Sequence, residues 1–262
     1  MNDHDLGLAH DLRQWQRGLS RRRLTLGALG AVAGGLAGSR GALAQAGRCA
    51  MVPEETAGPF PANGSGRGSS VNALALGGIV RSDIRAGLAG AGGVAAGAPL
   101  ALTLRLVNAE GACEPLSGLA VYLWHCDREG RYSMYSRGVQ DENYLRGVQV
   151  ADADGSVSFK TVFPGCYAGR MPHLHFEVYR GLDPVRARDL RVKTSQIALP
   201  RDVCEAVYAG APGYAESTVN LARITFATDG VFRDGVEHQL AAVSGSVQTG
   251  LAAQLNVGLP GS

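Results

Sequence analysis

The sequence is short of charge, of closely spaced cysteines and of long apolar runs, and each shortage excludes something. Only 18% of the 262 residues are charged. Subtracting the six arginines and three aspartates of residues 1–44 from the 25 basic and 23 acidic residues of the chain leaves 19 and 20, a net charge of −1. The formal +2 of the whole chain is therefore a property of its first segment. The remainder lacks the basic footprint that nucleic-acid binding needs. Cysteine is sparse, and no Cys-x-x-Cys occurs among Cys49, Cys113, Cys126, Cys166 and Cys204, which argues against a zinc ribbon. An odd count leaves at least one sulfur unpaired, metal-bound or intermolecular. A pair between Cys126 and Cys166 is expected, because each ends or follows a predicted strand close to a candidate ligand. There is no internal repeat, and few stretches read as long helices.

The one apolar run, residues 24–38, is too short and too rich in Ala and Gly to span a bilayer. It follows Arg21, Arg22 and Arg23 and leads to Ala42-Leu43-Ala44, an A-x-A cleavage pattern. Residues 1–44 are read as an export signal, and the paired arginines resemble a bacterial twin-arginine signal. That route carries folded proteins, often with a cofactor loaded. An ordinary secretory signal and an uncleaved anchor are the alternatives. A periplasmic or secreted protein is expected, with no stable membrane insertion after cleavage. Cysteines can form disulfides in such a compartment.

Glycine, by contrast, is plentiful, at 37 residues. Residues 45–98 are rich in Gly, Ala, Ser and Pro and carry no helical period, so an extended arm is expected, with a short strand near Ile79, Val80 and Arg81. Flexible linkers are the alternative for residues 62–72 and 86–98. From Pro99 the texture changes to period-two alternation. PLALTLRLVN, LAVYLWHC, SVSFKTVF, HLHFEVY, KTSQIALP, LARITFA, HQLAAVSGSVQ and LAAQLNV read as strands, separated by turns such as Asp154-Gly155, Asp229-Gly230 and Asp234-Gly235. Residues 202–210 suit one short helix, with Asp202 as its N-cap. The expected fold is all-β: an antiparallel β-sandwich with long loops over residues 99–262, preceded by the arm over 45–98.

Four histidines follow the signal: His125, His173, His175 and His238. In HLHFEVY, His173 and His175 share one strand face, while Leu174, Phe176 and Val178 point to the other. Two adjacent imidazoles are a common metal-site arrangement, though His-x-His alone is a weak motif. Tyr132 and Tyr167 add phenol oxygens. A phenol has an ordinary pKa of ~10 and needs a strong Lewis acid to lose its proton at neutral pH. Ferric iron is such an acid and accepts tyrosinate ligands. Two phenolates would neutralise two of its three charges and disfavour reduction. Zinc or copper suits the histidines but explains the tyrosines less well.

The ordered set LAVYLWHCDREGRY, DENYLRG, DADGSVSFKTVFPGCY and RMPHLHFEVY resembles the intradiol ring-cleavage dioxygenases, which include catechol and protocatechuate dioxygenases. The resemblance runs over residues 99–200, and PEETAGPFP with VRSDIR is similar to the exported branch of that family. It implies a non-haem Fe(III) centre held by Tyr132, Tyr167, His173 and His175, with water or hydroxide completing the set. It implies a small aromatic diol and O2 as substrates, and a muconate-type diacid as product. Tyr167 matches the ligand that leaves when the diol chelates the metal. Arg170 matches an arginine whose charge stabilises carbanion character in the bound catecholate. His125, Asp127 and Gln196 are candidates for orienting the ligands. Only residues 168–172 separate Tyr167 from His173, where a longer loop is usual, so Tyr135 and Tyr144 are alternative ligands. The helical dimerisation domain of the catechol enzymes is absent, and a homo-oligomer is left open. Two other readings stand beside this one. The first is a non-catalytic extracytoplasmic binding module for aromatics or polysaccharide. The second is a zinc hydrolase on His173 and His175, with Glu177 on their face.

Overall fold

The alternating leucines of residues 99–108 form an extended strand because one face can be buried whole. In the computed structural model, which describes residues 49–65, 71–182 and 191–261, β1 (Pro99–Asn108) buries Leu100, Leu102, Leu104 and Leu106. Each such side chain contributes roughly 1.5–3 kcal/mol of transfer free energy. The expected export segment, residues 1–44, lies outside the described residues. Seven further strands follow: β2 (Ala120–Trp124), β3 (Arg146–Val150), β4 (Ser156–Val162), β5 (His173–Tyr179), β6 (Arg191–Ala198), β7 (Ala242–Ser246) and β8 (Gly250–Leu259). They make two four-stranded sheets, ordered β4-β1-β8-β7 and β3-β2-β5-β6.

The core lies between the sheets. Leu102, Leu104 and Phe159 on one side meet Val121, Leu123, Leu174 and Phe176 on the other. The sandwich read from the sequence is therefore present, with one correction. β1 and β8 pair in parallel, Leu100 opposite Leu251, whereas all other strand pairs are antiparallel. The long path from β1 to β8 leaves β8 free to enter the sheet in either direction, which a tight hairpin would forbid.

The second sheet is buried on both faces. Every residue of β2 and β5 is buried. Outer faces of antiparallel sheets are usually wet and polar. Here Tyr122, Trp124 and Tyr179 pack under Ala62, Leu74 and Ile79 of the arm. The arm is tied down along its length. Val52 N–H donates to Gly258 O at 2.9 Å, and Glu55 N–H donates to Thr194 O at 2.8 Å. Asn63 Nδ2 donates to the buried Glu177 carboxylate at 3.0 Å. The strand expected around Ile79, Val80 and Arg81 is a single parallel bridge, Val80 to Val148.

The helices also differ from expectation. A helix, α1 (Arg201–Gly210), starts after Pro200, which occupies the N-cap, with Asp202 in the first turn rather than capping. There its charge still opposes the positive end of the helix dipole. A second helix, α2 (Ala215–Leu221), is followed by a 3-10 turn (Phe226–Thr228), where LARITFA reads as a strand. Leu221 and Ile224 are both buried, a spacing of three that belongs to helical turns. Among the described residues no helix is long and apolar enough to cross a membrane.

The cysteine pairing is corrected as well. Cys49 and Cys113 form the disulfide, with Cα atoms 5.4 Å apart, while Cys126, Cys166 and Cys204 are free and buried. Cys126 Sγ donates to Gly165 O at 3.6 Å and Cys166 Sγ to Arg170 O at 3.4 Å, so each thiol already has its own acceptor. The bridge closes a loop with a sequence separation of 64. Loop-closure entropy then gives about 4 kcal/mol of stabilisation. Mass mapping of unreduced protein is expected to recover a Cys49–Cys113 peptide and three alkylatable thiols. Cys113→Ser is expected to lower stability by roughly that amount without unfolding the sandwich.

Candidate metal centre

The site is built on the outer face of β5. Period-two alternation sends Leu174, Phe176 and Val178 into the core and leaves His173, His175 and Glu177 facing the arm. Trp124 lies opposite His175 across the β2–β5 ladder. Its indole stacks on the imidazole, with ring centroids 5.0 Å apart and planes 6° from parallel. Tyr122 stacks under Trp124 in turn, at 5.0 Å. On the other side the arm closes over the ring. A Cβ on Gly58, whose φ is +67°, would stand 3.3 Å from His175 Cε1.

Two turns bring the tyrosines. Asp127, at the end of β2, folds the first: its Oδ1 accepts from Glu129 N–H and Arg131 N–H at 3.0 and 2.9 Å. Tyr132 follows directly. Buried Arg146 holds the next residue, donating from Nη2 to Ser133 O at 2.9 Å and from Nη1 to Pro61 O of the arm at 3.1 Å. The second turn, Pro164-Gly165-Cys166-Tyr167, is clamped by the helices. Tyr208 Oη donates to Pro164 O at 3.0 Å, Cys166 N–H donates to Ser217 Oγ at 2.9 Å, and Asn220 Nδ2 donates to Cys166 O at 2.9 Å. The two turns touch through backbone. Gly165 N–H donates to Asp127 O at 3.0 Å, and a Cβ on Gly165 would lie 2.5 Å from Arg128 O.

The structure brings all four expected ligands together. Tyr167 Oη lies 3.2 Å from His173 Nε2, His173 Nε2 lies 3.1 Å from His175 Nε2, and His175 Nε2 lies 3.2 Å from Tyr132 Oη. His173 Nδ1 is 2.6 Å from Met171 O, so its proton belongs on Nδ1 and Nε2 presents a lone pair. Burial, reinforced by the Arg170 charge, holds both imidazoles well below their ordinary pKa. Burial also raises the Tyr132 phenol well above its ordinary value. Two neutral nitrogen donors face one another, flanked by two phenol oxygens. That donor set fits a hard trivalent cation, which would take the imidazole lone pairs and displace the phenol protons. Tyr132, His173 and His175 are buried, whereas Tyr167 is only half-buried, so the cluster opens to solvent on the Tyr167 side.

The alternative tyrosines are occupied elsewhere. Tyr135 Oη accepts from Ala62 N–H at 2.9 Å, and Tyr144 Oη donates to Asp127 Oδ2 at 3.3 Å. His125 bonds Cys126 O and Thr161 Oγ1 at 2.7 and 2.6 Å, so neither ring nitrogen is directed to the cluster. Gln196, opposite His175 on β6, reaches the site's edge. Its Oε1 accepts from Arg170 Nη2 at 2.6 Å, and its Nε2 donates to Thr56 O at 2.9 Å. Arg170 Nη1 stands 3.5 Å from His173 Nε2. Glu177 is fully buried but bonded to Asn63, Tyr179 and Arg191, which makes it an anchor for the arm rather than a base.

Sequence reasoning missed Asp229 and the arm residues at the site. Asp229 reads only as half of an Asp-Gly turn, yet it pairs with Arg170 at 3.1 Å. Thr56 and Gly58 act through backbone, which no residue-type motif reveals.

Three buried imidazoles set an expected pH dependence. His125 is lowered to about 4 by burial, and His173 and His175 are also lowered. The unfolded chain takes up protons below about 6.5 that the folded chain refuses. Stability of metal-free protein should therefore fall as pH drops from about 6.5 towards 4, by up to about 1.4 kcal/mol per pH unit for each ring. Urea unfolding across that range checks this, and a flat profile would contradict it. Gly165→Ala is expected to cost about 1–3 kcal/mol through forced separation of the two turns. The same substitution should weaken metal retention, measured by metal analysis of folded protein.

Comparison with known proteins bears on the matched segment and the fold. A family model described as dioxygenase matches residues 83–184. A chlorocatechol 1,2-dioxygenase of Rhodococcus opacus is 36% identical over 53 residues, a stretch covering 20% of this chain and 21% of that protein. An intradiol ring-cleavage dioxygenase from Tetranychus urticae superposes with a TM-score of 0.62 at 25% identity, covering 81% of this chain and 95% of its own. The dioxygenase domain of a dioxygenase–carbohydrate-binding fusion from Streptomyces sp. SirexAA-E shares the fold, with a TM-score of 0.50 at 22% identity, covering 81% of this chain and 100% of that domain. In its matched segment and its fold, the chain is similar to the intradiol ring-cleavage dioxygenases.

Proposed function

We propose that this chain is a non-haem Fe(III) intradiol dioxygenase that cleaves a catechol-type diol with O2. One observation carries the reading. Two phenol oxygens and two imidazole nitrogens from three separate chain segments meet in steps of 3.1–3.2 Å, in a largely buried cluster whose donor set suits a cation. Tyr132, Tyr167, His173 and His175 would hold the iron. Bound there, the metal supplies Lewis acidity and brings the diol and oxygen together. Both oxygen atoms enter the product, so catechol and O2 account for every atom of the diacid.

The protein's own groups have distinct tasks. Buried Tyr132 and the two histidines form the fixed part of the cluster. Tyr167, half-buried, is the member placed to yield its position to a substrate hydroxyl and take that hydroxyl's proton on its phenolate oxygen. Arg170 holds a positive charge beside His173, where negative charge developing on the substrate ring would be stabilised. The Cys49–Cys113 disulfide supports an oxidising compartment, and with it export directed by residues 1–44.

Purified, iron-loaded protein is expected to be red-brown from tyrosinate-to-iron charge transfer and to consume oxygen with catechol or protocatechuate. Loss of groups that merely support a ligand typically costs ~10–100-fold, so Tyr132→Phe and His175→Ala should lower turnover by more than ~100-fold and bleach the colour. Chelation should abolish activity and Fe(III) restore it. A folded, iron-replete, colourless protein would overturn the assignment. Diol binding without oxygen uptake would point to a binding module instead.

A further inference from the structure

We propose that Asp229 is a positioning residue that sets the plane and direction of the Arg170 guanidinium, and that the C-terminal segment thereby completes the site. The inference rests on the reading of Arg170 as the charge beside the substrate and adds the group that controls it. Asp229 lies outside residues 83–184, the segment that matches the family model.

The geometry is specific. Asp229 has no exposed surface, and Arg170 is 3% exposed. Arg170 Nε donates to both carboxylate oxygens at 3.2 and 3.1 Å. Nη2 donates to Gln196 Oε1 at 2.6 Å. With Nε and Nη2 committed, the rigid planar fork can present Nη1 in only one direction. That direction is His173 Nε2, 3.5 Å away. Beneath the guanidinium lies Phe232, its ring centroid 5.6 Å from Arg170 Cζ and 6.2 Å from the His173 ring.

The carboxylate is itself held in place. It accepts from Val231 N–H at 2.8 Å and Phe232 N–H at 3.2 Å, both through Oδ1, and from Met171 N–H at 2.6 Å through Oδ2. Met171 lies between Arg170 and His173, and its carbonyl fixes the His173 tautomer. Asp229 therefore grips both the guanidinium and the peptide beside it. Three backbone donors fix the direction of the carboxylate as well as its place. The arrangement has the stiffness that a preorganised charge requires, because misdirected charge is paid for during reaction.

The test separates positioning from folding. Asp229→Asn keeps one oxygen acceptor, enough for either the Val231 and Phe232 N–H groups or the Met171 N–H, and removes the charge that draws Nε. The variant should fold, retain iron and colour, and bind catechol anaerobically within ~3-fold of the parent. Its kcat for oxygen uptake should fall ~10–100-fold, the size of loss seen when a ligand's supporting partner is removed. Adding Asp229→Asn to an Arg170→Gln background should cost nothing further, because a residue acting through Arg170 has nothing left to act on. In metal-free protein, the Arg170 Nε–H resonance should be sharp and protected in the parent and broadened in Asp229→Asn. Parental kcat in Asp229→Asn, a further loss in the double variant, or an unchanged Arg170 resonance would each overturn the proposal. If Asp229→Asn alone does not fold, the double variant, which leaves neither charge buried alone, decides by its comparison with Arg170→Gln. A parent protein that takes up no oxygen would end the functional assignment while the resonance still reports on Asp229.

Discussion

The two faces of β5 impose the constraint on which the structure depends. One strand must satisfy a dry interior with Leu174, Phe176 and Val178 and, on its other face, hold two imidazoles and a carboxylate away from water. Buried polar groups are costly unless they are partnered. The arm, the two tyrosine turns, the helices and the segment around Asp229 supply most of those partners, with His175 Nδ1 and Trp124 Nε1 among the exceptions. The outer face of the second sheet is consequently a second interior, formed by long connections rather than by a third sheet.

This explains why so much of the scaffold is devoted to immobilising short segments. The turn carrying Tyr167 places Cys166 in the core, but hydrogen bonds fix its backbone. Hydroxyls and an amide from α1 and α2 hold it, through Tyr208, Ser217 and Asn220. The turn carrying Tyr132 is held by Asp127 from within and by Arg146 from below. Both depend on direct backbone contact at Gly165. The ligand oxygens thus inherit their positions from hydrogen-bonded backbone, which is stiffer than a side chain on an unsupported loop.

Local chemistry made part of this legible in the sequence. Alternation in β1, β4 and β5 identified the strands because each buries one clear apolar set. His173 and His175 could be placed on one face from spacing alone, and Tyr132 and Tyr167 from their motifs. What escaped reading was non-local. The parallel β1–β8 pair depends on how a distant strand arrives. Leu221 and Ile224 look like strand residues until a helical turn brings both inward. Asp229 next to Gly230 carries a strong turn signature that conceals its pairing with a guanidinium 59 positions away. The disulfide joins the arm to the loop after β1, and nothing in the cysteine spacing distinguishes that partner from the others.

The short link between Tyr167 and His173 has a consequence for what the protein can admit. It contributes an exposed Ala168 and a half-buried Gly169, with no bulky side chain raised above the cluster. The inner side is closed by the arm and the indole stack, which leaves the Tyr167 side as the exposed approach to the cluster. A molecule entering from that side meets a methyl group and a glycine rather than a wall, so its size is limited less by this link than by the packed inner side.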